Sequence, residues 1–205
     1  MRSTRHSVVV RVTHWTTAAG VVALAISGVA ILLAHPRLYW GETGVLGEPA
    51  LLDLPLPLIL TGQTGWGRHL HFLGAWIVML SGALYVVHGV RSGHLARDIV
   101  GTRPATDGHA YSRRQRRTYA LVVGALFPAL VWTGSAMSPA LTSAVPALVT
   151  LVGGHQSARS LHFILACLVV VFGVGHVVAV MLSGGATLLR DMTIGSRPPT
   201  EEATR

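Results

Sequence analysis

Eleven histidines stand against only eight acidic residues in this 205-residue chain, and their placement is the feature best suited to chemistry. A neutral imidazole is a strong ligand for transition metals. Several of these histidines fall inside long apolar stretches, where an ionisable residue is costly and is a functional candidate by default. One such histidine alone could serve as interhelical glue, donating to a backbone carbonyl. A regular set calls for more. Arg68-His69-Leu70-His71-Phe72 and Arg159-Ser160-Leu161-His162-Phe163 both read R-x-L-H-F, and Arg11-Val12-Thr13-His14-Trp15 is a looser version. In each, an arginine precedes the histidine by three residues, which places it on the same helix face one turn away. A haem held edge-on between helices turns its propionates to the aqueous boundary, and an arginine there neutralises them through charge-assisted hydrogen bonds.

His176 follows His162 by fourteen residues. Fourteen steps of ~100° return to within ~40° of the starting direction and rise ~21 Å. One helix face thus presents two imidazoles, one near each membrane surface, as two stacked haems require. His71 lies at the depth of His162 and would be its axial partner on the outer side. The inner partner of His176 is His14 or His88. His88 lies seventeen residues after His71, about 100° away around the helix, and His14 has the arginine-led pattern, so His14 is favoured. His88 stays open, with Arg91 three residues beyond it. His69 points away from His71 and reads as interfacial; His35, His94, His109 and His155 read as solvated loop or helix-end residues.

The elements that must position these side chains are membrane helices. Hydrophobic residues make up 51% of the chain and charged residues 12%, about half the charge of a soluble domain. Four stretches, Val12–Ala34, His69–Val90, Thr118–Pro139 and Ser160–Ser183, contain no Asp, Glu, Lys or Arg. Each approaches or exceeds the ~20 apolar residues needed to cross ~30 Å of hydrocarbon. Ala50–Leu60 and Ala140–Gly153 are too short or too broken by proline and read as interfacial or loop segments. The first stretch follows Arg2, Arg5 and Arg11, as a signal peptide would, but its apolar core is too long and no A-x-A site follows. A retained helix is expected.

All sixteen basic residues are arginine; thirteen flank one side of the spans and only Arg37, Arg68 and Arg159 the other. The positive-inside rule then places both termini in the cytoplasm. The run Arg113, Arg114, Arg116, Arg117 reads as a topology anchor that also favours anionic lipid. A net charge of +8 beside membrane spans, rather than on a soluble face, excludes a nucleic-acid partner. Cys167 is alone, which excludes a disulfide, a cysteine zinc site, an iron–sulfur cluster and a C-x-x-C-H haem attachment. Gly20, Gly28, Gly74, Gly173 and Gly175 suit close approach to a flat macrocycle or to another helix. Pro128 and Gly134 interrupt the third span, where a kink is expected. Trp15, Trp40, Trp66, Trp76 and Trp132 read as an aromatic belt. The expected fold is an all-α integral membrane protein: a four-helix bundle over residues 12–185, with cytoplasmic tails 1–11 and 186–205, in the bacterial inner membrane.

The placement of His14, His71, His162 and His176 resembles that of the bacterial cytochrome b561 and nickel–iron hydrogenase b-type cytochrome superfamily, which includes the gamma subunits of formate dehydrogenase. The residues from Gly67 to Asp98, with Met137-Ser138-Pro139 and Gln156 to Phe163, look most like cytochrome b subunits that accompany molybdopterin oxidoreductases, such as thiosulfate-reductase-type subunits. The resemblance implies that His14 with His176 holds a cytoplasmic haem b and His71 with His162 an outer one. It also implies exchange with quinone and with a catalytic oxidoreductase subunit of the molybdopterin-dependent type. His88 is outside the shared pattern, and the loop from His35 to Trp66 departs from compact members and suits a partner contact.

The expected function is therefore electron transfer across the bilayer, with no chemistry on a final substrate in this chain. Arg11, Arg68 and Arg159 near the propionates should raise the haem potentials, since positive charge disfavours the ferric form. An intramembrane metal or proton transporter would be expected to add carboxylates within the spans, which contain none. A membrane di-iron hydroxylase needs H-x-x-x-H and H-x-x-H-H clusters, which do not occur. A haem-free membrane anchor is the remaining alternative.

Overall fold

The computed structural model describes residues 7–45, 47–55, 65–93, 95–96 and 113–195. The tail before Ser7, His94, His109 and the end of the chain after residue 195 lie outside them. Four helical spans carry the chain: Val8–Ala34, Gly65–Arg91, Arg117–Ala136 and His155–Leu182. Each begins a few residues before the uncharged apolar stretch does, because the helix continues toward the water boundary. At most 17% of any span's apolar window is buried, so most of each span faces lipid. Leu182 and Val171, 83% and 69% exposed, would be untenable on a soluble protein's surface in such numbers.

Helix α1 (Val8–Ala34) begins at Ser7, whose Oγ accepts from the Val10 N–H in the standard N-cap arrangement. It packs along α2 (Gly65–Arg91). Small residues allow the approach: Gly20 lies against Val78 and the Gly74 carbonyl, Gly74 against Leu24, and Gly67 against Ala30. Polar side chains lock the pair from within, as Ser81 Oγ meets Thr17 Oγ1 at 2.9 Å and donates to the Thr13 carbonyl at 3.0 Å. Between them runs a loop with a short antiparallel ladder, β1 (Arg37–Leu38) and β2 (Leu52–Asp53), in which Arg37 faces and pairs with Asp53 at 3.0 Å.

The third span is composite. α3 (Arg113–Leu121) runs into a π-helical turn (Val122–Leu126) and then α4 (Phe127–Ala136). Pro128 explains the join: it lacks an N–H and its ring clashes with the carbonyl four residues back, so the turn before it widens. The expected interruption at Gly134 does not occur; Gly134 continues α4 and serves packing instead. Short helices α5 (Pro139–Ala144) and α6 (Ala147–Thr150) fill the segment read as interfacial. α7 (His155–Leu182) packs on α4 around Ala136, Ala158 and Val149. Gly184, at φ +104°, turns the chain into α8 (Gly185–Thr193), so part of the C-terminal tail is helical.

The bundle is thus two helix pairs, α1–α2 and α4–α7, whose backbones have sparse contact with one another. Ser7 bonds to His88 and Arg11 to Thr193, which brings the start of α1, the end of α2 and α8 to one arginine-rich end. Arg37, Arg68 and Arg159 share the other, arginine-poor end.

Candidate haem sites

The two helix pairs meet through histidines. His71 on α2 and His162 on α7 face each other with ring centres 6.1 Å apart. His14 on α1 and His176 on α7 do the same at 6.2 Å. An imidazole nitrogen binds a transition-metal ion at about 2 Å and lies about 1.1 Å from its ring centre, so two imidazoles on opposite sides of one ion have centres about 6.2 Å apart. Both pairs have that separation. Along α7 the two sites are fourteen residues apart, about 21 Å.

The rings of the first pair are held from behind. Ser27 Oγ on α1 lies 3.0 Å from His71 Nδ1, and Thr133 Oγ1 on α4 lies 2.9 Å from His162 Nδ1. With Nδ1 so engaged, Nε2 is the nitrogen available to a metal. In the second pair, Phe172 stacks on His176 with ring centres 5.8 Å apart. His88 does not join it: its Nε2 bonds to Ser7 Oγ at 3.0 Å, at the N-cap of α1. The geometry thus separates the two inner alternatives, with His14 facing His176 and His88 tied to the helix start.

The arginines fall where anions would lie. Arg68 and Arg159, one turn outside His71 and His162, converge on His35. Arg68 Nη2 meets His35 Nε2 at 3.1 Å, and Arg159 Nη2 donates to the His35 carbonyl at 3.1 Å. Arg159 Nη1 also donates to Gln156 Oε1. Among the described residues neither guanidinium pairs with a carboxylate. Two cations gathered without an anion fit a carboxylate-bearing group such as a haem propionate. Burial, then Arg159 and Arg68, push the His35 imidazole below its ordinary pKa, so it stays neutral and presents Nε2 as an acceptor. At the other end, Arg11 Nη1 donates to the Thr193 carbonyl at 3.1 Å and Trp15 Nε1 to Met192. These bonds clamp α8 onto α1. Arg11 Nε is buried without a hydrogen-bond partner, a donor that an inner propionate would satisfy. The residues present fit two haems, each with two imidazoles and nearby cations.

The family description that matches residues 5–195 is prokaryotic cytochrome b561. The chain belongs to the prokaryotic cytochrome b561 family. It is therefore a bacterial multi-pass membrane protein, a b-type cytochrome of electron transfer built as a helical bundle. This cytochrome is 28% identical over 189 residues to the proposed protein-methionine-sulfoxide reductase subunit YedZ1 of Azospira oryzae, covering 84% of the chain and 87% of that protein. No solved structure matches it.

Three features of the b561 sites escaped the reading of the sequence. Ser27 and Thr133 carry no motif and lie on helices other than those of the histidines they contact. His35 looked like a loop histidine, yet it joins Arg68 and Arg159. The loop between α1 and α2 also docks on the start of α7: the Gly41 carbonyl accepts from the N–H groups of Gln156 and Ser157, Gly41 N–H donates to Ser157 Oγ, and Glu42 accepts from His155 N–H. Gly154, at φ +107°, makes this possible, because a Cβ there would stand 2.5 Å from the Gly41 oxygen. A Gly-Gly pair before a helix was the only hint in the sequence.

Proposed function

We propose that this cytochrome holds two haems b, one between His71 and His162 and one between His14 and His176, and carries electrons across the bilayer between quinone and a catalytic oxidoreductase partner. Haem b, when bound, supplies a one-electron ferric/ferrous couple whose potential depends on ligands, hydrogen bonds and burial. The observation that supports the reading is the pair of 6.1 and 6.2 Å histidine separations, which suit one bis-imidazole iron each.

The protein's own groups do the rest. Imidazoles on both sides of each iron would fill the axial positions, so neither oxygen nor substrate gains access to the metal, and the sites store and pass charge only. Arg68 and Arg159, with neutral His35 between them, would bind the outer propionates; Arg11 would bind an inner one through Nε. The apolar faces of α1, α2 and α7 exclude water, which favours the less charged ferrous site and raises the potential along with the arginines. The thirteen-to-three arginine distribution supports both termini in the cytoplasm and the Arg68–Arg159 end outside. The name of the Azospira relative, a reductase subunit, supports a catalytic reductase as the partner.

Purified protein should show a dithionite-reduced, low-spin b-type spectrum with about two haems per chain and should be reduced by a soluble quinol. A chain without haem after expression with ample haem supply would falsify the reading. Copurification from the native membrane identifies the partner.

A further inference from the structure

The two hydroxyls behind the His71–His162 pair share one local design. Ser27 Oγ donates to the carbonyls of Ala23 and Leu24, at 2.7 and 3.1 Å. Thr133 Oγ1 donates to those of Ala129 and Leu130, at 2.8 and 3.2 Å. A hydroxyl has one hydrogen. Directed to the helix carbonyls, it leaves only lone pairs facing the imidazole. His71 and His162 must then carry their proton on Nδ1 and donate it, which leaves the Nε2 lone pair directed away from the hydroxyl. Both hydroxyl residues are sealed from water, at 0% and 3% exposure, so no solvent molecule competes for the bond.

Each is followed by a glycine that lets the ring lie close to the helix. A Cβ at Gly28 would stand 3.8 Å from His71 Cε1, and one at Gly134 only 3.3 Å from His162 Cε1. Gly28 also lies fourteen residues after His14, on the same face of α1. Thus α1 offers an imidazole at the level of one site and a hydroxyl–glycine clasp at the other, while α4 offers only a clasp. Ser27-Gly28 and Thr133-Gly134 come from different helix pairs and grip the two facing rings in the same way.

A hydrogen bond from Nδ1–H to an acceptor raises the basicity of the other ring nitrogen, and a more basic ligand stabilises the more highly charged metal. We infer that Ser27 and Thr133 are positioning residues that fix the tautomer of His71 and His162 and lower the reduction potential of the haem held between them. They act against Arg68 and Arg159, which raise it. The inference rests on the proposed haem at that pair.

The test uses the full-length protein, purified with its haems, in Thr133→Val, Ser27→Ala and Thr133→Ser forms. His14→Ala, which should keep only the outer haem, assigns the two midpoints. Thr133→Val keeps the shape of threonine and removes the acceptor. It should move the outer haem's equilibrium toward the ferrous form by about three- to tenfold, or roughly 30–60 mV at 59 mV per tenfold for one electron. The inner midpoint should stay in place. Ser27→Ala should shift in the same sense, and Thr133→Ser should restore the original value. Loss of the outer haem from Thr133→Val with recovery in Thr133→Ser also supports the role. Unchanged midpoints in both Thr133→Val and Ser27→Ala, with two haems bound, overturn it, as does a shift that Thr133→Ser fails to reverse. Wild-type protein without haem would instead overturn the parent reading, so the two failures are distinct.

Discussion

Replacing His162 by alanine should remove one haem and leave a folded protein. The ring centres of His71 and His162 are 6.1 Å apart, room for one iron, so the variant retains a single axial ligand at that site. The His14–His176 pair lies about 21 Å along α7 and keeps both its rings. Removal of the imidazole strands no buried donor, because Thr133 Oγ1 still donates to the Ala129 carbonyl at 2.8 Å. The protein loses one neutral hydrogen bond, about 1 kcal/mol in water-soluble proteins and about 0.6 between membrane helices. That is small beside a typical total of ~5–15 kcal/mol. Pyridine haemochrome measurement against protein concentration should fall by half, and the reduced α-band should fall with it. Haem and imidazole added together should refill the site and recover the second low-spin haem. Retention of two low-spin haems would show that His162 is not a ligand. Loss of both haems from a folded variant would show that the two sites are not independent.

Three further outcomes follow from the same geometry. His14→Ala should lose the inner haem while His88→Ala keeps both, since His14 faces His176 at 6.2 Å and His88 bonds to Ser7; haem counts on the two variants decide it. The His35 pKa is lowered below 6.5 by burial, Arg159 and Arg68, so folding favours its neutral form. Its contribution is complete above about pH 6.5 and is lost as pH falls from there toward the lowered value. Protonation adds a third positive charge beside Arg68 and Arg159, so the outer midpoint should rise as pH drops through that window, and potentiometry on His35→Gln should show the slope removed. Gly154→Ala would force a side chain into φ +107° and to 2.5 Å from the Gly41 oxygen. About 1–3 kcal/mol of backbone strain plus the clash should loosen the 35–42 loop, seen as faster proteolysis there and earlier thermal loss of the outer haem than of the inner.

Much of this protein is legible in the chain itself. A segment in hydrocarbon must have its backbone groups satisfied within the protein, and four stretches are long and apolar enough to do so as helices, so four spans follow from composition and length. R-x-L-H-F at Arg68–Phe72 and Arg159–Phe163, and the fourteen-residue step from His162 to His176, mark a repeated site because helix periodicity turns spacing into direction. Tertiary structure decided which of the candidate residues meet across helices. Periodicity gives direction only relative to the helix's own axis, and the rotation of α2 against α1 is set by packing at Gly20, Gly67 and Gly74. That packing leaves His88 beside Ser7, and the meeting of the two helix pairs sets His14 opposite His176. The same limit hid Ser27, Thr133 and His35, since a hydroxyl or a loop histidine has no signature until another chain segment arrives beside it. The sequence therefore determined which helices carry the histidines and at what depth; the packing of two helix pairs decided which histidines face each other and which hydroxyls and cations stand around them.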